Sequence, residues 1–197
     1  MSANGCETPY RPLIAFGATI NSGNGRERHI PFPTRLERLE RGSFRDNENP
    51  HTVEVEIRQA ALGIICREKY FLVAEIEDPA TGIVLHRPPG GGIEDGESPE
   101  EAVRRELQEE LGMSITIARK LGYIDHTWHW NGREVHERAW LFLANCSDDP
   151  RLQNGETPDL FEGAHRRRTL WRPIDDDNGQ LPPLCPTALS EALKVRL

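Results

Sequence analysis

The chain is poor in cysteine. Cys6, Cys66, Cys146 and Cys185 are scattered, with no CxxC pair and no zinc-ligand spacing. That excludes a zinc ribbon or a disulfide framework and fits free thiols in a reducing cytoplasm. No apolar run reaches 18 residues, so no membrane span is expected and no membrane partner. The opening "MSANGCETPYRPLIAFGATI" lacks a basic start followed by an apolar stretch, so no signal peptide is read there. Positive charge is also short: 24 Lys and Arg stand against 32 Asp and Glu, a net charge of −8. Few cations are present to displace counterions from a phosphate backbone, so no nucleic-acid partner is expected. A phosphorylated small-molecule substrate would need metal ions or a local group of arginines.

What is present suits one soluble domain: 197 residues, 37% hydrophobic and 28% charged. Residues 1–50 are rich in Gly, Asn, Pro and Arg and nearly aperiodic, and read as an irregular extension with at most a short helix over Leu36 to Arg41. The compact domain is expected over residues 51–197. "TVEVEIRQ" alternates like a half-buried strand, "AALGIIC" follows as a buried one, and "KYFLVAEI" is a third. After the loop "RPPGGGIEDGES" a helix is well signalled, by Ser98 as N-cap, Pro99 at the first position, Glu101 completing a capping box and Gly112 just past the end. "SITIARK" reads as a strand, "YIDHTWHWNGREVHERAWLFLAN" as a long hairpin turning at Asn131-Gly132, "RTLWRPI" as a late strand and "CPTALSEALKVRL" as a closing helix. Strands interleaved with separate helices indicate an α/β or α+β sandwich around a mixed sheet.

On the first helix, Val103, Leu107 and Leu111 form the buried stripe, while Glu106, Glu109 and Glu110 share a separate arc about 100° wide. Like charges three and four residues apart repel. Such a strip is either a solvated face or the seat of a cation. Hard divalent ions such as Mg²⁺ or Mn²⁺ take carboxylate and carbonyl oxygens, which this strip and the glycine loop beside it supply.

The stretch "GGIEDGESPEEAVRRELQEELGM", Gly91 to Met113, resembles the Nudix box of MutT-like hydrolases at all nine of its fixed positions, without a gap. At ordinary residue frequencies a match of this kind arises on the order of once in 10⁹ starting points. "RPPGGGIEDGE" and "LWRPIDD" are similar to the flanks of a broad Nudix subgroup, so the resemblance runs from about Thr52 to Leu197. It implies a Nudix-type α/β/α sandwich with a mixed β-sheet, and Mg²⁺- or Mn²⁺-dependent cleavage of the diphosphate linkage in a nucleoside diphosphate derivative. Glu106, Glu109, Glu110 and the Gly90 carbonyl are then the metal ligands, and Glu106 also influences the attacking water. Glu97 and Arg105 form an ion pair that fixes the loop, with Gly91 and Gly112 as structural members of the box. A Nudix-fold nucleotide-binding regulatory module without hydrolysis is the alternative. The substrate is expected to be a nucleotide-type small molecule, and a homodimer is left open.

The hairpin adds a second group. A two-residue turn at Asn131-Gly132 pairs Trp130 with Arg133, Trp128 with Val135, His126 with Glu137 and Asp125 with Arg138. If the face with His126, Trp128 and Trp130 looks toward the acidic helix, Glu137 is a candidate ligand or general base. Trp128 and Trp130 are then candidates to stack on a base, His126 to lie beside Glu137, and Arg133 to reach a phosphate. Packing is the competing reading for the tryptophans. "HRRR", His165 to Arg168, reads first as a solvated loop, with phosphate contact as the weaker alternative. The chain lacks the downstream proline of ADP-ribose enzymes and the "SQPWPxS" stretch of NADH enzymes. Nucleoside triphosphates and nucleotide sugars therefore lead among substrates.

Overall fold

A continuous apolar run such as Ala60 to Ile65 is stable only on a strand covered on both faces. In the computed structural model, which describes residues 19–22, 26–29, 56–146, 149–176 and 179–197, that is how the run is used. Strand β3 (Ile57–Ile64) sends Leu62 and Ile64 into one core cluster and Ala61 into another. Strands β5 (Tyr70–Glu77) and β9 (Arg133–Asn145) alternate in the same way: Phe71, Val73, Ala139 and Leu141 face one layer, and Leu72, Ala74, Phe142 and Ala144 face the other. The first layer is closed by α3 (Leu189–Arg196) through Leu189, Ala192 and Leu193, the second by α1 (Pro99–Leu111) through Ala102, Val103, Leu107 and Leu111. The result is the expected α/β/α sandwich with a mixed sheet.

Three sheets carry the strands. The largest has the order β2 (Arg26–His29), β1 (Thr19–Ser22), β8 (Thr116–Trp130), β9, β3, β7 (Gly90–Gly92), with β3 and β9 parallel. A second joins β12 (Thr169–Pro173), β5 and β4 (Cys66–Arg67), with β6 (Val84–Arg87) also on β5. β10 (Leu160–Glu162) and β11 (His165–Arg167) make a small hairpin, preceded by the single-turn α2 (Pro150–Gln153).

The hairpin register is the expected one: Trp130 opposes Arg133, His126 opposes Glu137, and Arg138 grips Asp125 with two bonds of 2.7 and 2.8 Å. Asn131 and Gly132 both have positive φ, as a type I′ turn requires. Other expectations change. "TVEVEIRQ" and "AALGIIC" are one strand in the described residues, because nothing between Gln59 and Ala60 turns the chain. "SITIARK" continues into the hairpin arm, since two register shifts between Ile117 and Gly122 absorb the mismatch as bulges. The glycine loop contains β7, paired with β3. The closing helix starts at Leu189 rather than at Cys185. Residues 1–50 are not wholly irregular: β1 and β2 extend the main sheet and satisfy the outer backbone groups of β8. The helix expected over Leu36 to Arg41 lies outside the described residues.

Candidate active site

Helix α1 is placed by its own ends. The Ser98 Oγ accepts from the Glu101 N–H and the Ser98 N–H donates to the Glu101 carboxylate at 2.9 Å, while Gly112 closes the helix in the left-handed conformation. A cap of this type is worth about 1 kcal/mol, and each buried Val or Leu of the inner stripe about 1.5–3 kcal/mol. Arg105 then ties the helix to the preceding loop. Its Nε and Nη2 donate to both Glu97 oxygens at 2.9 Å, and Nη2 also donates to the Gly92 carbonyl at 2.9 Å.

This docking lays the glutamates against the glycine strand. The Gly90 N–H donates to Glu110 at 2.9 Å. Gly90 has φ +129°, and a Cβ there would lie 2.2 Å from the Ala61 carbonyl oxygen, so only glycine fits. A Cβ on Gly91 would sit 2.5 Å from the Glu106 carboxylate, which occupies that space. Burial pushes the Glu110 carboxyl up to about 7, and the charges of Glu106 and Glu162 add to this. Burial raises the Glu106 carboxyl as well, against the opposing pull of Arg105.

A cavity of about 360 Å³ opens above this pair. Its lining includes Glu106, Glu110 and Gly90 to Gly92, and Trp128, Trp130 and Val135. Ala74, Ile76 and Leu160 supply apolar lining, while Arg58, Arg87, Arg167 and Glu162 bring charge. Trp128 and Trp130 have ring centroids 5.4 Å apart at 41°, so they present one tilted surface rather than a slot.

The remaining expected residues lie elsewhere. Glu109 is outside the cavity lining: its side chain is 61% exposed and its carboxylate lies 3.4 Å from Arg105. Arg133 is exposed at the hairpin turn and does not line the cavity. His126 and Glu137 are buried behind the cavity surface. Glu137 is fully covered and accepts from Arg58, from Arg87 Nη2 at 2.8 Å and, at 3.1 Å, shares a hydrogen bond with His126. Burial raises its carboxyl, but Arg87, His126 and Arg58 outweigh this and hold it well below the usual carboxylate range. Both oxygens of Glu137, first expected as a metal ligand or general base, are thus engaged by these three side chains.

Four charged cavity residues lie outside the expected site set. Arg58 and Arg87 carried a faint signal: Arg58 is a charged residue just before a buried apolar run, and Arg87 opens the glycine loop. Arg167 carried only the weak basic-cluster signal of "HRRR" and Glu162 none, because the β10–β11 hairpin that brings them over α1 is too short to show a period. Of "HRRR", His165 to Arg167 form β11 rather than a loop, and His165, Arg166 and Arg168 are solvent-exposed as expected, with Arg166 paired to Asp159, Arg167 to Glu162 and Arg168 to Glu75.

The profile of the NUDIX domain matches residues 56–186. The chain belongs to the Nudix family. Its curated relatives include an RNA pyrophosphohydrolase of Photobacterium profundum, 34% identical over 101 residues that cover 44% of this chain and 56% of the relative. Another RNA pyrophosphohydrolase, of Blochmanniella pennsylvanica, is 31% identical over 98 residues covering 44% and 62%. The chain therefore spans less than two thirds of the length of these relatives. Among solved structures, a MutT NUDIX hydrolase from Burkholderia pseudomallei is similar with a TM-score of 0.50 and 26% identity, covering 71% of this chain and 97% of that one. A MutT protein from Methanosarcina mazei Go1 shares the fold with a TM-score of 0.53 at 17% identity, covering 73% and 95%.

A divalent cation fits the Nudix site on its donor chemistry. Glu106 and Glu110 offer hard oxygen donors, and burial raises both carboxyls against the opposing pull of Arg105, 2.9 Å from Glu106, and of Arg87 on Glu110. Among the described residues no three acidic or imidazole side chains converge on one point. An incomplete protein shell of this kind suits Mg²⁺ or Mn²⁺, which keep waters and take substrate phosphate oxygens.

Proposed function

We propose that this Nudix protein is a divalent-metal-dependent pyrophosphohydrolase that cleaves a diphosphate linkage in a nucleoside 5′-polyphosphate, free or at the 5′ end of an RNA. The observation that supports the reading is one cavity lined by Glu106, Glu110 and Glu162, by the glycine strand, and by Trp128 and Trp130. Glu106 and Glu110 would hold the cation, with the glycine-strand carbonyls as additional donors. When bound, the cation offsets the charge of the diphosphate and lowers the pKa of water. Glu106, at the cavity surface, is assigned to receive the proton of the attacking water. Trp128 and Trp130 offer apolar ring surface to a base, and Arg58 and Arg167 offer guanidinium groups to phosphates.

The names of the curated relatives bring RNA in, against the expectation of no nucleic-acid partner. The net charge of −8 still argues against general binding along a duplex. An enzyme acting on one 5′ end needs cations only at the site, and three arginines line this cavity. The scattered cysteines fit a cytoplasmic enzyme.

The test is release of phosphate or pyrophosphate from nucleoside triphosphates, a 5′-triphosphorylated oligoribonucleotide and nucleotide sugars, with Mg²⁺ and with Mn²⁺. The E110Q variant runs beside the wild type. Turnover of a polyphosphate that is lost in E110Q is the expected result. Turnover that survives E110Q at saturating metal, or that needs no metal, would overturn the proposal.

A further inference from the structure

Glu137 is the centre of a buried cluster that no catalytic step above uses. Three groups converge on its two oxygens: Arg58 from β3, Arg87 from the end of β6 and His126 from β8. The β3–β9 register creates the first contact, since Arg58 lies directly beside Glu137 in the parallel pair. The cluster holds two guanidinium charges against one carboxylate, so it is not electrically balanced by its own members.

The two arginines differ in what they have left to offer. Arg87 is committed on every side. Its Nη2 goes to Glu137, its Nη1 lies 3.2 Å from the Cys185 sulfur, and its Cζ is 5.4 Å from the centre of the Trp128 ring. Cys185 is held there by the closing segment, where its N–H donates to the His86 carbonyl at 2.9 Å. Arg58 has only Nη1 on Glu137, and its other N–H groups have no partner among the described residues. Its side chain is 44% exposed and lines the cavity, with Nη2 3.7 Å from where a Cβ of Gly92 would be. A guanidinium has five N–H donors in a fixed fork, so anchoring one edge aims the rest.

We infer that Glu137 is a positioning residue: it orients Arg58 across the glycine strand as a phosphate-binding group, and it neither ligates metal nor takes a proton from water. The ligand of this subsite is a phosphate of the substrate bound in the cavity that Arg58 lines together with Glu106 and Glu110. The inference rests on the polyphosphate reading above, and the role of Arg87 is to back both Glu137 and Trp128.

Two measurements test it. The first is direct binding of inorganic tripolyphosphate by calorimetry, in Ca²⁺ and in EDTA, to the wild type, R58A and R58K. Loss of one charge-assisted contact predicts roughly 10- to 100-fold weaker binding in R58A and an intermediate value in R58K. Unchanged binding in R58A overturns the inference whether or not the protein turns over nucleotides, so its failure is distinct from failure of the functional reading. The second is steady-state kinetics of E137Q, E137D, R58A and the E137Q/R58A double variant across pH. The expected pattern is a KM raised about 10-fold or more in E137Q and R58A, with a smaller change in kcat and an acid limb of kcat that stays in place. The double variant should be no worse than R58A alone, because both changes remove the same contact. A fall of about 10²-fold or more in kcat for E137Q with loss of the acid limb would make Glu137 the base and overturn the inference. Should E137Q not fold, the R58A and R58K binding series decides alone.

Discussion

The E110Q variant tests the cation reading without any turnover. In the absence of metal, Glu110 is a carboxyl raised from 4.5 to about 7, chiefly by burial. Its unfolded form releases the proton first as pH rises, so the folded state binds more protons between those values and stability falls with pH across that window. At about 1.4 kcal/mol per pKa unit, the full penalty at pH 8 is about 3 kcal/mol. Glutamine keeps an acceptor for the Gly90 N–H but makes a weaker bond, taking back about 1 kcal/mol. The variant should therefore be more stable than the wild type by about 2 kcal/mol at pH 8 in EDTA, or roughly 4–8 °C in Tm for a chain of this size. At pH 5 the folded wild type carries a protonated Glu110 and the difference should shrink below about 1 kcal/mol. Adding Mg²⁺ at pH 8 should raise the wild-type Tm and leave the variant nearly unmoved. Thermal unfolding by circular dichroism at both pH values reads all of this. An E110Q protein no more stable than the wild type at pH 8 in EDTA would refute the claim that burial of the Glu110 carboxylate outweighs the Gly90 N–H and Arg87 beside it.

Two adjacent glycines should fail in different ways. G90A places a Cβ against the Ala61 carbonyl in a strained backbone conformation and should lose about 3 kcal/mol or more in denaturant melts. The nearest atoms a G91A methyl meets are those of the Glu106 carboxylate, the end of a side chain that can shift, so this variant should fold nearly normally yet lose at least about 10-fold in kcat. Equal stability losses in the two variants would contradict this. Asp78, only 4% exposed, accepts from the Ala80 N–H at 2.8 Å and the Asn131 N–H at 3.1 Å, tethering the hairpin tip that follows Trp130. D78A should raise KM several-fold with little change in kcat and should alter tryptophan fluorescence, whereas D78N, which keeps an acceptor oxygen, should restore KM; identical behaviour of the two would remove the tether from the account. For Glu137, whose carboxyl is depressed, stability is present above the unfolded value of 4.5 and is lost as pH falls below it. Melts between pH 6 and 3 should fall more steeply for the wild type than for E137Q, and parallel curves would speak against the buried charge cluster.

Helix α1 and the β8–β9 hairpin were legible because their signals are local. Ser98, Pro99, Glu101 and Gly112 mark a helix through contacts within a turn or two, and Asn131-Gly132 sets a register that carries back to Asp125 and Arg138. The box spacing pointed to Glu106 and Glu110 for the same reason, as a helix converts spacing into a face. β1 and β2 were not legible, because four-residue strands among Gly and Asn carry no period and exist by pairing with β8.

The cavity was decided by tertiary structure. Glu109 and Glu110 are neighbours in sequence, yet docking on the glycine strand buries one carboxylate and leaves the other exposed. Arg58 and Glu137 are 79 residues apart and meet only because β3 and β9 run parallel at one register. Glu162 and Arg167 reach the site on a hairpin that packs on α1. Sequence alone determined which residues share a helix face or a hairpin rung, since those follow from backbone geometry over a few residues. Which carboxylate is open and which is sealed by arginines depends on burial and on partners far along the chain, and only the packed structure supplies those.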